Sequence, residues 1–152
     1  DIYRHMARLS IMTNQFLARA PAEANTALAR HSDERVSQVA VRAYARIAAA
    51  WKLPNAAAAK LIGVSERTWG RIKADNWNGA LDQDQLMRVS AVTGLYKALH
   101  LYFSDKLADR WVCMANKGDS FGGHKPIDLM LSGGLPAIMG TRDYVDAIRG
   151  GV

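Results

Sequence analysis

The chain carries a single cysteine, Cys113, which excludes an internal disulfide framework and any cysteine-based zinc site. That usage fits a reducing compartment. No stretch approaches the roughly 18–20 consecutive apolar residues of a membrane span. No window shows sustained two-residue alternation, so strands are not expected. The opening residues "DIYRHMARLSIMTNQF" interleave Arg, His and Asn, and are not expected to form a signal peptide. The simplest placement is cytoplasmic, with no membrane partner.

Catalytic equipment is equally sparse. His5, His31, His100 and His124 stand alone, without a motif around them. His100 reads as a boundary residue of a helix, and His124 as an exposed residue of a glycine-rich loop. Cys113, between Trp111 and Met114, reads as a small core residue. "FGGHKP" has neither the spacing nor the preceding strand of a phosphate-binding loop. No enzymatic activity, metal or cofactor is expected.

What the chain does have is hydrophobic residues at 49% of positions, enough to bury a core, and a net charge of +6. The charge is localised. Residues 34–76 hold eight basic and three acidic side chains, whereas residues 77–119 and 120–152 each sum to zero. A basic excess confined to one segment is the footprint of a polyanion contact; the competing reading is a solvated helix face.

Periodicity gives an all-α chain. A first helix fits "IYRHMARLSIMTNQFLARA", and "PAEANTALARHSD" reads as a loosely held connector. A helix from Asp33 to Lys52, capped by Asp33, would bury Val36, Val39, Ala43, Ile47 and Trp51, with Pro54 closing it. Further helices fit "DQDQLMRVSAVTGLYKALHLYF", "SDKLADRWVCMAN" and "PIDLMLS", and a terminal one begins near Pro136. "KGDSFGGHKP" is the clearest loop.

Between Pro54 and Asp75 lies a helix-turn-helix pattern. Asn55 is placed to cap "AAAAKLI", Gly63 supplies the turn, and Ser65 can cap the next helix. Ala59 is small where the two helices approach. Val64, Trp69 and Ile72 are apolar where the second must seat on the first. This leaves Ser65, Glu66, Arg67, Thr68, Arg71 and Lys73 as candidate DNA-binding residues. Arg67 and Arg71, four apart, share a face that could enter a major groove. An ordinary α-hairpin with solvated arginines is the alternative.

The C-terminal third is more distinctive. Phe103 precedes "ADRW" with Trp111, then Phe121-Gly122-Gly123, Lys125-Pro126-Ile127-Asp128-Leu129, Gly133-Gly134, and "YVDAIRGGV" from Tyr144 to Val152. This ordered series resembles the toxin-binding domain of the Xre/MbcA/ParS antitoxin family, and the upstream helix-turn-helix resembles that family's Xre-like domain. The resemblance covers a helix-turn-helix domain (34–104) and a small helical toxin-binding domain (105–152), while residues 1–33, an N-terminal helix or arm, fall outside it. It also implies a bacterial antitoxin that neutralises a NAD-degrading RES-domain toxin by direct contact. Homodimerisation and repression of its own operon through operator DNA are implied with it. The rivals are a stand-alone regulator whose C-terminal module only dimerises, a scaffold that has lost DNA binding, and an enzyme.

In the terminal helix, Leu135, Ile138, Met139 and Val145 cluster on one side, and Arg142 and Arg149 point inside that apolar arc. Asp146 can pair with either arginine. Arginines in an apolar stripe either lay their stems over it or contact a partner. The candidate toxin-binding residues are Phe121, Lys125, Arg142, Tyr144, Arg149, Gly150, Gly151 and Val152.

Overall fold

The computed structural model describes residues 22–150; the candidate first helix and the tail residues Gly151 and Val152 lie outside them. Among the described residues the order is α1 (Ala22–Ala50), α2 (Asn55–Ile62), α3 (Glu66–Lys73), α4 (Gln83–Tyr102) and α5 (Asp105–Arg110). A 3-10 turn (Trp111–Cys113), α6 (Pro126–Gly133) and α7 (Leu135–Arg149) follow. One connected apolar core runs from Val41 on α1 to Val145 on α7. The most extensive helix contact joins α4 to α7. No described helix is long and apolar enough to cross a membrane.

α1 departs from the sequence expectation in two ways. Residues 22–33 continue the helix instead of forming a connector, and Asp33 lies inside it, not at its cap. No Gly or Pro occurs between Pro21 and Pro54, and the alanines there favour helix. Residues 26–33 are solvent-exposed, so this stretch is helical without adding to the buried core. The buried face also differs: Val36 and Val39 are 53% and 70% exposed, while Ser37, Val41, Tyr44, Ile47, Ala48 and Trp51 turn inward. The inward face includes a polar residue because Ser37 has a specific task.

The Leu81 N–H donates to the Ser37 hydroxyl oxygen at 2.8 Å, and the Gln38 side-chain amide donates to the Trp77 carbonyl at 2.6 Å. Together these bonds fasten the segment after α3 back onto α1. Replacing Ser37 by Ala strands a buried N–H and should cost about 1–3 kcal/mol. Urea denaturation of Ser37→Ala measures that loss, and an unchanged midpoint would contradict this role.

α4 begins with a capping box: the Gln85 N–H donates to Asp82 Oδ1 at 2.8 Å and the Asp82 N–H to Gln85 Oε1 at 2.9 Å. The Gln85 amide nitrogen also donates to the Gly63 carbonyl at 2.9 Å. One side chain thus starts α4 and anchors the turn between α2 and α3. At the other end of α4, His100 lies between two carboxylates, Asp105 at 3.1 Å and Asp109 at 2.9 Å, and so fixes α5.

Candidate nucleic-acid and protein interfaces

The helix-turn-helix forms as its spacing predicts. Gly63 adopts φ +74°, the left-handed conformation that glycine enters without a Cβ clash. Ser65 accepts a hydrogen bond from the Thr68 N–H at 3.1 Å and starts α3. Ala59, Trp69 and Ile72 are buried, and Val64 is half-buried against the same core. Trp69 meets the Tyr44 ring edge-on, with centroids 5.3 Å apart. The Tyr44 hydroxyl donates to the Ala58 carbonyl at 2.6 Å, and burial pushes that phenol's pKa up, so it stays a neutral donor. α1, α2 and α3 are therefore clamped at a single point.

Asn55 serves differently from the expected cap. Pro54 occupies the N-cap position, and Asn55 is the first helical residue. Its Oδ1 accepts from Trp69 Nε1 at 3.3 Å and from Lys73 Nζ at 3.0 Å. The carboxamide is occupied by these α3 donors, leaving the cap position to the residue before it.

The candidate DNA-binding residues are not equally available. Ser65 and Thr68 are tied together at the start of α3, and Thr68 is half-buried. Arg71 Nε donates to the Asn76 carbonyl at 3.3 Å, and Lys73 is held by Asn55. Glu66 and Arg67 are exposed at the start of α3. Arg42, on the neighbouring α1, pairs with Asp75 at 3.5 Å.

In the C-terminal unit, the loop after the 3-10 turn is closed on itself. The Asn116 N–H donates to the His124 carbonyl at 3.0 Å, and the Gly123 N–H to the Asn116 carbonyl at 2.7 Å. Phe121 is driven inward from this loop. It packs edge-on against Trp111 at 5.7 Å and Tyr144 at 4.9 Å, while Trp111 and Tyr144 stack at 6.3 Å. Phe121 is only 4% exposed, so in this fold it is a core wedge rather than an open contact. Tyr144 is half-buried in the same cluster, whereas Lys125 is exposed at the N-cap of α6.

α7 buries Ile138, Thr141 and Val145, and leaves Met139 46% exposed. The inward arc is thus rotated from the expected one. Thr141 joins it because its hydroxyl donates to the Ala137 carbonyl at 2.8 Å and needs no outside partner. Arg142 and Arg149 remain between the directions of Ile138 and the half-buried Leu135, with both side chains about half exposed. Both reach Asp146, at 3.9 Å and 3.4 Å. The Arg142 guanidinium lies over Gly94 of α4, where a Cβ would collide with it. Arg142, Asp143, Asp146, Met139 and Met87 edge an open groove of about 320 Å³ between α4 and α7. Gly150 ends the helix, its N–H bonding the Asp146 carbonyl at 3.0 Å.

Arg88 is a residue that sequence reasoning missed. Its side chain approaches both glycine breaks: a Cβ on Gly63 would lie 3.8 Å from it, and one on Gly134 would lie 3.3 Å from it. Gly134 adopts φ +67° and ψ −151°, a region essentially reserved for glycine. Arg88 also pairs with Asp84 at 2.8 Å. The arginine thereby spans the α2–α3 turn and the start of α7. Its only sequence signal is a cation flanking the apolar stripe of α4. Among the described residues no group of three or more His, Cys, Asp or Glu side chains could hold a metal ion.

Comparison with known proteins divides the chain in the same order. Residues 26–93 match the antitoxin Xre-like helix-turn-helix domain, and residues 97–151 match the antitoxin Xre/MbcA/ParS C-terminal toxin-binding domain. The uncharacterized protein y4oB of Sinorhizobium fredii (strain NBRC 101917 / NGR234) is 34% identical over 124 residues, which cover 79% of this chain and 92% of that protein. No solved structure matches the chain.

Proposed function

The chain belongs to the Xre/MbcA/ParS antitoxin family, and we propose that it neutralises a RES-domain, NAD-degrading toxin through α7 and its tail while repressing its own operon through α3. The observation that carries this reading is the pairing, in one chain, of a helix-turn-helix unit with a unit matched to a toxin-binding domain. On the first unit, the basic excess of residues 34–76 and the exposed Arg67 suit a DNA backbone. On the second, Arg142, Asp146 and Arg149 form a half-exposed charged ladder beside Met139 and Met87. A rigid helix with a few charged and apolar anchors is the kind of surface on which binding hot spots form.

The active protein in this reading is a homodimer. Leu28, Val36 and Val39 are exposed on α1, and at about 100° per residue they fall within roughly 80° of one another. A second copy covering that face would remove apolar surface from water and place two α3 helices on one operator.

Co-expression with the adjacent gene tests the proposal. The neighbouring product alone should arrest growth, this chain should restore it, and the two should co-purify. Growth arrest that this chain fails to relieve would refute the antitoxin–toxin pairing. A harmless neighbour would favour the stand-alone regulator.

A further inference from the structure

We propose that the seam between the helix-turn-helix unit and the C-terminal unit is a binding site for a small organic phosphate. A cavity of about 610 Å³ opens between the end of α1 and the α5–3-10 segment. Its volume is that of a ligand pocket, for which about 300–1,000 Å³ is usual. Its walls combine the cations Lys52, Lys106 and Arg110 and the carboxylate Asp109 with the apolar surfaces of Trp51 and Met114.

Three features mark this cavity as more than a surface crease. The first is unbalanced charge: Lys52, Lys106 and Arg110 take part in none of the ion pairs among the described residues. Asp109, the nearest acid in the lining, is engaged by His100 Nε2 at 2.9 Å. Gathering cations around a concavity raises the local concentration of anions.

The second is an unpartnered polar group within the lining residue Trp51. Trp51 is 3% exposed, and its indole N–H is the one buried side-chain polar atom without a hydrogen-bond partner among the described residues. Buried polar groups are normally partnered, and an orphan calls for an explanation.

The third is the backbone of Lys52, which sits at φ +54° just beyond α1. There the Lys52 N–H donates to the Ala49 carbonyl at 3.1 Å and the Leu53 N–H to the Ala48 carbonyl at 3.0 Å, closing the helix. This left-handed closing position favours glycine. A lysine there bears a conformational cost, which a use for its ammonium group would explain.

The ligand class follows from the lining. Three cations against one carboxylate leave an excess of two positive charges, which suits a dianionic phosphate monoester. Trp51 and Met114 would cover its organic body. Duplex DNA offers singly charged diesters along a convex ridge and fits such a pocket poorly. Lys52 belongs to the first family-matched unit, and Lys106 and Arg110 to the second. A phosphate held by all three would brace the two units against each other.

The full chain should be titrated calorimetrically with AMP, ribose 5-phosphate, inorganic phosphate and adenosine, and with a short duplex in parallel. The expected result is saturable 1:1 binding of at least one organic phosphate, tighter than inorganic phosphate or adenosine. Lys52→Gly and Arg110→Ala should each weaken it about tenfold. Lys52→Gly should also leave the melting temperature unchanged or raised, because glycine relieves the left-handed backbone. Lys60→Ala, exposed on α2 and outside the cavity lining, should leave organic-phosphate binding unchanged. Absence of saturable binding by both organic phosphates overturns the proposal. So does organic-phosphate binding that survives both substitutions. If the two substitutions lower duplex affinity while both organic phosphates stay silent, the cations are a DNA contact and the pocket assignment is wrong.

Discussion

Deleting Arg149 to Val152 is expected to abolish neutralisation of the toxin while leaving the antitoxin folded. The anchors of α7 are Ile138, Thr141 and Val145, all upstream of the cut. What the deletion removes from the described fold is small: the half-exposed Arg149–Asp146 pair at 3.4 Å and the final helix-ending hydrogen bond of Gly150. An exposed pair of this kind is worth at most about 1 kcal/mol, so the melting temperature should barely move. The binding loss should be much larger. Arginine is over-represented among interface residues whose removal costs about 2 kcal/mol or more, equivalent to roughly 30-fold or more in Kd. Growth rescue and a pull-down with purified toxin would measure it. A truncated chain that still neutralises fully would move the inhibitory contact elsewhere, with the groove bordered by Met87 and Met139 the next surface to mutate.

The side chains of that surface are held in different ways. Arg142 is held over Gly94 and pairs with Asp146, so part of its role is internal. Arg149 is the last residue of α7 and is held by a single acid, Asp146. Phe121, although it belongs to the motif that marks the family, is buried between Trp111 and Tyr144. A motif position therefore need not be a contact position. Here the aromatic wedge holds the 116–124 loop and α7 in one arrangement, and any contact must be made by the side chains around it.

Features whose causes are local in the chain are legible in the sequence alone. Gly63, Ser65, Trp69 and Ile72 act within a few residues of one another, and their spacing alone gives the turn and both faces of α3. The buried face of α1 departs from its periodicity because its cause is distant. Ser37 turns inward to accept from Leu81, 44 positions away, while the three- and four-residue spacing of apolar residues selects Val36 and Val39. Residues with two tertiary tasks escaped in the same way. Gln85 caps α4 and holds the α2–α3 turn, Arg88 spans two glycine breaks, and Asn55 accepts from two α3 side chains. The seam cavity is the extreme case, since Lys52 and Arg110 meet across more than fifty intervening positions. Periodicity reports which face an isolated helix offers; it carries no information on which distant groups will need a partner there.

Replacing both Arg67 and Arg71 by Ala is expected to weaken operator binding by about 30-fold or more at moderate salt, taking roughly 1–3 kcal/mol for each arginine that touches DNA. The stability of the fold should be nearly unchanged, because both side chains project from the exposed face of α3. The single variants should differ. Arg67 is exposed one residue into the helix with an open approach to a groove, so its loss should be the more costly. Arg71 must first release the Asn76 carbonyl, which it reaches at 3.3 Å, and that exchange lowers its net contribution. A salt series separates the two kinds of contact. A phosphate contact lowers the steepness of log K against log salt by about one per arginine and weakens all sequences alike, whereas a base contact relaxes discrimination at one position. Glu66, beside Arg67, repels phosphate, so Glu66→Gln should strengthen binding to operator and random duplex together. Operator affinity unchanged in the double variant would place the DNA-binding surface outside α3 and leave the basic excess of residues 34–76 as a solvated helix face.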